Sequence, residues 1–172
     1  MRTSVLELRA QQKRKGRRRW IFGLILLAAV VWGANTFLFS RPAAQALAGD
    51  PRSSGVVLAV HLRYYLDPTT LIMDLRRADL ADPSDLFRAL LKATKGVDDV
   101  TWVPGRVLLL RGGEQVFEIA GADLGRSAAD YASARNPAAV LVALIPKLRL
   151  PGGGAPPPMP VTDAADRWAS GH

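Results

Sequence analysis

The stretch that decides the architecture is Trp20 to Phe39, WIFGLILLAAVVWGANTFLF, a run of twenty residues without one charged side chain. At about 1.5 Å of rise per residue, a helix of this length extends roughly 30 Å, which matches the hydrocarbon core of a bilayer. The run therefore predicts a single transmembrane helix over residues 20–39.

A basic block, KRKGRRR at residues 13–19, directly precedes the apolar run. Lys and Arg beside a span are retained on the cytoplasmic side of the membrane. The block predicts a cytoplasmic N-terminus, with the rest of the chain in the periplasm of a bacterial inner membrane. We expect Arg17, Arg18 and Arg19 to contact anionic lipid at the cytoplasmic face.

The charge of the chain is concentrated in this tail. Residues 1–19 carry a net charge of +7, out of +8 for the whole sequence, so the remainder is nearly neutral. No aromatic residue precedes Trp20, and a basic arm without aromatic side chains is not expected to bind nucleic acid. The sequence has no cysteine, which excludes disulfides and cysteine-ligated metal.

A cleaved secretory signal is the alternative to an anchor. Ala44-Gln45-Ala46 and Ala46-Leu47-Ala48 both have the small-x-small pattern of a cleavage site. The apolar run, however, is longer than the roughly 7–15 residues of a signal sequence, and Arg41 and Pro42 separate it from those sites. An uncleaved anchor is therefore the favoured interpretation.

Within the span, two groups of side chains predict contacts. Aromatic residues near its ends are typical interfacial anchors, namely Trp20, Trp32, Phe37 and Phe39. Small residues permit close helix packing, namely Gly23, Ala29 and Gly33. The span contains no ionisable residue, so neither a proton relay nor a haem ligand is expected there.

Composition changes divide the chain into five segments. These are a basic cytoplasmic tail (1–19), the transmembrane helix (20–39), a linker (40–55), an α+β periplasmic domain (56–150) and a Pro/Gly-rich tail with a short terminal anchor (151–172). Trp168 lies in that terminal anchor, and we expect it to contact a partner because a tryptophan is costly to leave in water.

The fold class expected for the chain is one transmembrane helix plus a small α+β extracytoplasmic domain. The domain begins with a strand over residues 56–65, followed by two helices that each start at an Asp-Pro pair. The first of these, about 68–80, is alternatively partly extended. A three-stranded antiparallel meander follows over 100–120, and helices over 123–134 and 138–145 complete the domain.

No residue pattern predicts catalysis, a cofactor or a metal. His61 is the only histidine before the last residue, and one imidazole without a partner ligand does not form a metal site. The aspartates are accounted for by helix starts and turns. We expect a chain that is not an enzyme and that binds no small-molecule substrate.

The predicted order of strand, helix, helix, strand, strand resembles the POTRA module of bacterial envelope proteins. The likeness is strongest at Leu90 to Val100, LLKATKGVDDV, where a helix ends in glycine before a Val-x-x-Val strand. A basic tail, one span and such a module is similar to the layout of the division protein family FtsQ, except that no second large β-domain follows Ala120. The resemblance implies an envelope or division scaffold.

The absence of chemistry, the small residues in the span and the terminal tryptophan together favour another role. They predict a non-catalytic accessory subunit of a larger inner-membrane complex, for example a photosynthetic, respiratory or secretion assembly. Its partners would be other inner-membrane subunits, which it positions or stabilises. The POTRA-like scaffold is the alternative.

Overall fold

The computed structural model describes residues 20–53, 55–98 and 103–171. It divides into an N-terminal unit, which ends at Ala34, and a domain that comprises Asn35–His172. The predicted contacts of Arg17, Arg18 and Arg19 lie outside the described residues. So does most of the first predicted meander strand.

Helix α1 is described from Trp20 to residue 35, so its last residue already belongs to the domain. Its side chains are exposed from Trp20 to Val30. A π-helical turn (Thr36–Ser40) and helix α2 (Arg41–Ala48) continue the helical segment to Ala48. Over the described ranges, one helix is long and apolar enough to cross a membrane, and it lies near the N-terminus.

Helix α2 occupies a stretch that the sequence analysis assigned to a linker. Pro42 lies in the first turn, where its missing N–H costs no hydrogen bond. Phe39, Ala43 and Leu47 recur every four residues and are all buried, so they form one apolar face against the domain. Small and polar residues surround these three positions, so the apolar face was not recognised from the sequence.

The domain is built on a mixed sheet of four strands in the order β1-β2-β3-β4. The strands are β1 (Val56–Arg63), β2 (Asp67–Ala78), β3 (Arg106–Arg111) and β4 (Glu114–Ala120). The β1–β2 and β3–β4 pairs are antiparallel, whereas β2 and β3 are parallel. The predicted antiparallel pairing of residues 106–111 with 115–120 is therefore confirmed, but the other neighbour of β3 is β2, in parallel and from before the helical crossover, so the three-stranded meander is not formed around β3.

At 68–80 the predicted helix is wrong and the alternative, an extended segment, is confirmed, since β2 occupies that stretch. Asp67 does not cap a helix; its carboxylate accepts the Thr69 N–H and hydroxyl at 2.9 and 2.7 Å, which closes a turn. Thr69, Thr70 and Ile72 are β-branched and favour a strand. The strand-helix-helix-strand-strand order behind the POTRA resemblance is consequently not the order of this domain.

Helix α3 (Asp85–Asp98) is the crossover between the parallel strands β2 and β3. Leu86, Phe87, Leu90 and Leu91 are buried on its inner face, as the sequence predicts. Gly96 was expected to terminate the helix but lies inside it. A Cβ there would be 2.7 Å from the Pro42 carbonyl oxygen, so the glycine permits close packing of α2 on α3.

Three further helices follow the sheet: α4 (Gly121–Ser133), α5 (Pro137–Leu144) and α6 (Val161–Ser170). The first two confirm the helices predicted at 123–134 and 138–145. Together with α2 and α3 they surround one hydrophobic core. Its largest fully buried side chains include Trp168, Phe87, Phe117 and Met73.

Candidate functional site

The described residues contain no group of three or more His, Cys, Asp or Glu side chains that could hold a metal ion. The His61 ring stacks on Tyr65, with centroids 4.7 Å apart, and its Nδ1 lies 2.9 Å from the Leu62 carbonyl oxygen. This histidine is thus engaged by its own turn. The arrangement that distinguishes the molecule is instead the junction between the helical segment and the sheet.

Two polar side chains, Asn35 and Ser40, bind the start of the domain to strand β1, and we call them the clamp. The Asn35 side chain is almost completely buried; its Nδ2 donates to the Tyr65 carbonyl oxygen at 2.9 Å, and its Oδ1 accepts the Leu62 N–H at 2.9 Å. The Ser40 hydroxyl donates to the Val60 carbonyl oxygen at 2.6 Å. Because β1 is an edge strand, these side chains satisfy backbone groups that no neighbouring strand pairs.

An ion pair reinforces the same junction beyond α2. Lys92 Nζ on α3 lies 2.5 Å from Asp50 Oδ2, and both side chains are at least partly buried. The Lys92 hydrogen bond lowers the pKa of Asp50 below its ordinary value, which the Arg52 backbone N–H also favours. The segment after the π-helical turn is therefore held by polar as well as apolar contacts.

Among the predicted interfacial residues, Trp20, Trp32 and Phe37 are exposed. Phe39 is different, because its ring is buried in the core of the domain and is unavailable to lipid. Sequence reasoning placed it at the end of the span because the apolar run continues to that residue. The span and the first core contact of the domain overlap in the sequence.

The predicted packing residues lie on α1. Gly23 and Ala29 are exposed and Gly33 is half-buried. A Cβ added at Gly23 or Gly33 would meet nothing within 4 Å. A shallow depression lined by Trp20, Gly23, Leu24 and Leu27 also lies on this helix. Helix packing through Gly23, Ala29 and Gly33 stays a prediction.

Trp168 does not have the predicted position at a partner surface. Its side chain is fully buried within the domain, and its Nε1–H donates to the Leu110 carbonyl oxygen at 2.9 Å. Its ring centroid is 5.8 Å from that of Phe87. The Pro/Gly-rich stretch lets α6 return to its own core, so the tryptophan avoids water without any partner.

Sequence reasoning missed one surface, the turn between β1 and β2. Tyr64, Tyr65 and Leu66 were included in or left beside the first strand, but the structure places them in an exposed turn. The sequence signal for this turn was the occurrence of three large side chains directly before Asp67-Pro68. The turn is bonded to Asn35 through the Tyr65 carbonyl group.

These features define a coarse class: a small α/β domain with a four-stranded mixed sheet and one helix capable of spanning a membrane. No protein-family model matches the chain, and neither a curated protein nor a solved structure matches it.

Proposed function

We propose that the protein is a non-catalytic accessory subunit of a bacterial inner-membrane complex. The basic tail stays in the cytoplasm, α1 spans the membrane, and the α/β domain lies in the periplasm. Its role is to position or stabilise neighbouring subunits. The observation that carries the proposal is the junction at Asn35, where the apolar helix is followed in the chain by residues whose side chains bind strand β1 and enter the core of the domain.

The junction supports an uncleaved anchor over a cleaved signal. Cleavage after Ala46 or Ala48 would remove the Asn35 and Ser40 hydrogen bonds to β1. It would also remove the buried ring of Phe39 from the core. A segment that supplies core contacts is expected to remain in the mature protein, because burying a large apolar side chain contributes about 1.5–3 kcal/mol.

The proposed orientation rests on charge. A net +7 in residues 1–19 favours retention of the N-terminus in the cytoplasm and attraction to anionic lipid. The rest of the chain is nearly neutral, so no comparable excess of basic residues opposes its transfer across the membrane. The domain that follows Asn35 would then lie in the periplasm.

The surface of α1 supports helix partners within the membrane. Association of helices in lipid depends on close packing at small residues, since lipid tails are as apolar as leucine. Ala29 and Gly33 are spaced four residues apart, and Gly33 has room for an approaching backbone. These residues are the proposed contact with other inner-membrane subunits.

Two measurements test the topology. Protease added to intact spheroplasts should digest the domain, and N-terminal sequencing of the mature protein should begin at or near Met1. Protection of the domain would contradict the orientation. A mature N-terminus near Gly49 would contradict the anchor.

Gentle detergent extraction tests the subunit role. The chain should co-purify with other membrane proteins in fixed stoichiometry. Replacing Ala29 and Gly33 together by leucine should weaken that association, whereas Val30→Leu on the same helix should not. Recovery of the wild-type chain alone, or equal behaviour of the two variants, would count against the proposal.

An envelope scaffold is the second candidate, and the closed core of the domain favours it. The large apolar side chains of α3 and α6, such as Phe87 and Trp168, are covered by other parts of the same chain. A domain of this kind can recruit partners without an obligatory neighbour. A scaffold predicts that the extracted chain is monomeric and stable, and that its partners bind through the domain when α1 is replaced by an unrelated span.

A further inference from the structure

The turn between β1 and β2 exposes three large side chains in succession. Tyr64 is 73% exposed and Leu66 is 70% exposed, with Tyr65 between them. We call residues Tyr64, Tyr65 and Leu66 the aromatic turn. Contiguous exposed apolar side chains of this kind mark surfaces that bind another protein or a membrane.

The backbone of the aromatic turn is strained. Tyr64 and Tyr65 have φ angles of 52° and 61°, in the left-handed region. This conformation costs a residue other than glycine about 1–2 kcal/mol, and hairpin turns of this type prefer Asn-Gly. Two tyrosines are poor choices for closing the hairpin itself. Their side chains therefore point to a requirement outside the turn.

Both tyrosine rings are held by basic neighbours on β1. The His61 ring lies parallel to Tyr65, with an interplanar angle of 11°. The Arg63 guanidinium lies 5.0 Å from the centre of the Tyr64 ring, and its Nη2 donates to the Tyr64 hydroxyl at 3.2 Å. The rings are thus preorganised, which reduces the entropy lost when they bind a surface.

The clamp ties the aromatic turn to the residue that directly follows the apolar unit in the chain. Asn35 Nδ2 donates to the Tyr65 carbonyl oxygen, and Asn35 comes immediately after Ala34, the last residue of that unit.

Guanidinium groups lie over exposed aromatic rings both at the turn, where Arg63 contacts Tyr64, and on the helical segment, where Arg41 contacts Phe37. The Arg41 guanidinium lies 5.8 Å from the ring centre of exposed Phe37, and Arg63 accompanies Tyr64. The nearest acidic side chain along the chain is Asp67, and the hydrogen bonds from the Thr69 hydroxyl and N–H lower its pKa, so it keeps its negative charge beside these cations. Aromatic rings beside guanidinium groups are typical of the membrane–water interface, because the rings contact acyl chains and the guanidinium groups contact lipid phosphates.

We propose that the aromatic turn inserts into the headgroup region of the leaflet on the domain's side of the membrane. This inference rests on the proposed function, in which α1 spans the bilayer. It adds a second lipid contact, formed by the domain itself. The turn and the span together would then restrict the tilt of the domain on the membrane.

The absence of cysteine permits a direct test on the full chain. Single cysteines replace Leu66 in the turn, Val57 at the other end of β1, or Leu26 in α1, and each is labelled with an environment-sensitive fluorophore. The labelled proteins are reconstituted into phospholipid nanodiscs that contain spin-labelled lipid quenchers. Val57 is the matched control, since it is exposed on the same strand but about 23 Å from the turn.

We expect shallow quenchers to reduce the fluorescence at position 66 severalfold more than at position 57. Deep quenchers should act most strongly at position 26. Quenching at 26 with none at 66 would overturn this inference and leave the anchor intact. Quenching at neither position would overturn the anchor, and this inference with it. A probe at 66 shielded in native membranes but unquenched in lipid-only nanodiscs would indicate a protein partner, which also overturns the inference.

A variant with a relaxed turn separates lipid contact from folding. Tyr64→Asn with Tyr65→Gly supplies the residues that the left-handed backbone prefers. We expect this variant to retain its circular dichroism spectrum in detergent and to lose most of the shallow quenching at position 66. Unchanged quenching would show that the tyrosine side chains do not hold the turn in the headgroups.

Discussion

Trp168 is the side chain whose substitution is expected to cost the domain most. Trp168→Ala should lower the free energy of unfolding by about 3–5 kcal/mol, because it leaves a cavity in the core. Trp168→Phe retains most of the ring volume but leaves the Leu110 carbonyl oxygen without its donor, at a cost of about 1–3 kcal/mol. Chemical denaturation of the full chain in mild detergent measures both changes.

Val142→Ala is the control for the tryptophan variants, because Val142 is a large but exposed side chain on α5. It should change the free energy of unfolding by less than about 0.5 kcal/mol. If Trp168→Ala were equally mild, the terminal helix would not be part of the core.

The Asp50–Lys92 ion pair predicts a pH-dependent contribution to stability. The pKa of Asp50 is lowered in the folded state, so the contribution is fully present above the unfolded value near 3.8 and is lost as the pH falls through the folded value. Lys92→Met should cost about 1 kcal/mol near neutral pH. Denaturation of both proteins should give a difference that is constant from about pH 5 to 7 and shrinks below about pH 4.

The two proteins have the same carboxyl groups, so comparing them isolates the effect of removing Lys92. Asp50→Asn should reproduce the loss near neutral pH. A gap between wild type and Lys92→Met that grew on acidification would mean that the pair does not stabilise the fold.

At this scale the sequence predicted the type of local structure only in part. Asp67 was assigned to a helix start, but its carboxylate accepts the Thr69 N–H and hydroxyl and closes a turn. Trp168 and Phe39 were misplaced because their contacts, with Leu110 and the domain core, are distant in sequence. A side chain's preference for burial does not specify which surface buries it.

Among the elements, the packing of α2 on α3 depends on Gly96. In Gly96→Ala the new Cβ would approach the Pro42 carbonyl oxygen to 2.7 Å and the Ala46 side chain to 2.8 Å. We expect a net destabilisation of about 1–3 kcal/mol, measured by thermal or chemical unfolding in detergent, despite the higher helix propensity of alanine.

Gly49→Ala provides the matched control, since a Cβ at that position meets nothing within 4 Å. It should be neutral or stabilise the protein by up to about 1 kcal/mol, through the entropy of the unfolded chain. Equal effects of the two substitutions would contradict a close approach of α2 to α3.

Elements with one periodic apolar face were predictable, as the buried face of α3 shows. Strand β2 was not, because Asp67-Pro68 favours a helix start as well as a turn, and only pairing with β1 and β3 decides between them. Helix α2 was concealed for a related reason. Its buried residues are few, and they stabilise the helix only when the domain is present to receive them.

For the molecule as a whole, the boundary of the folded domain is the property to test. A fragment that comprises Asn35–His172 retains the clamp and the buried residues of α2, whereas a fragment of residues 50–172 lacks Phe39, Ala43 and Leu47. Burial of Phe39 and Leu47 contributes about 1.5–3 kcal/mol each, against a typical total of 5–15 kcal/mol.

We therefore expect the longer fragment to unfold cooperatively in mild detergent and the shorter one to be unfolded or poorly packed. Near-ultraviolet circular dichroism and denaturant titration distinguish the two results. If both fragments were equally stable, α2 would be dispensable and the domain would begin after it.

The other edge strand of the sheet, β4, is also covered, because Glu118 and Arg149 exchange backbone hydrogen bonds of 2.8 Å. Strand β4 is thereby shielded by a segment of its own chain, as β1 is by Asn35 and Ser40. An edge strand without such cover can pair with the same strand of another molecule and so promote polymerisation. A chain cleaved after Ala48 would lose Asn35 and Ser40, and with them the shield of β1, so the shed domain is expected to self-associate through that edge.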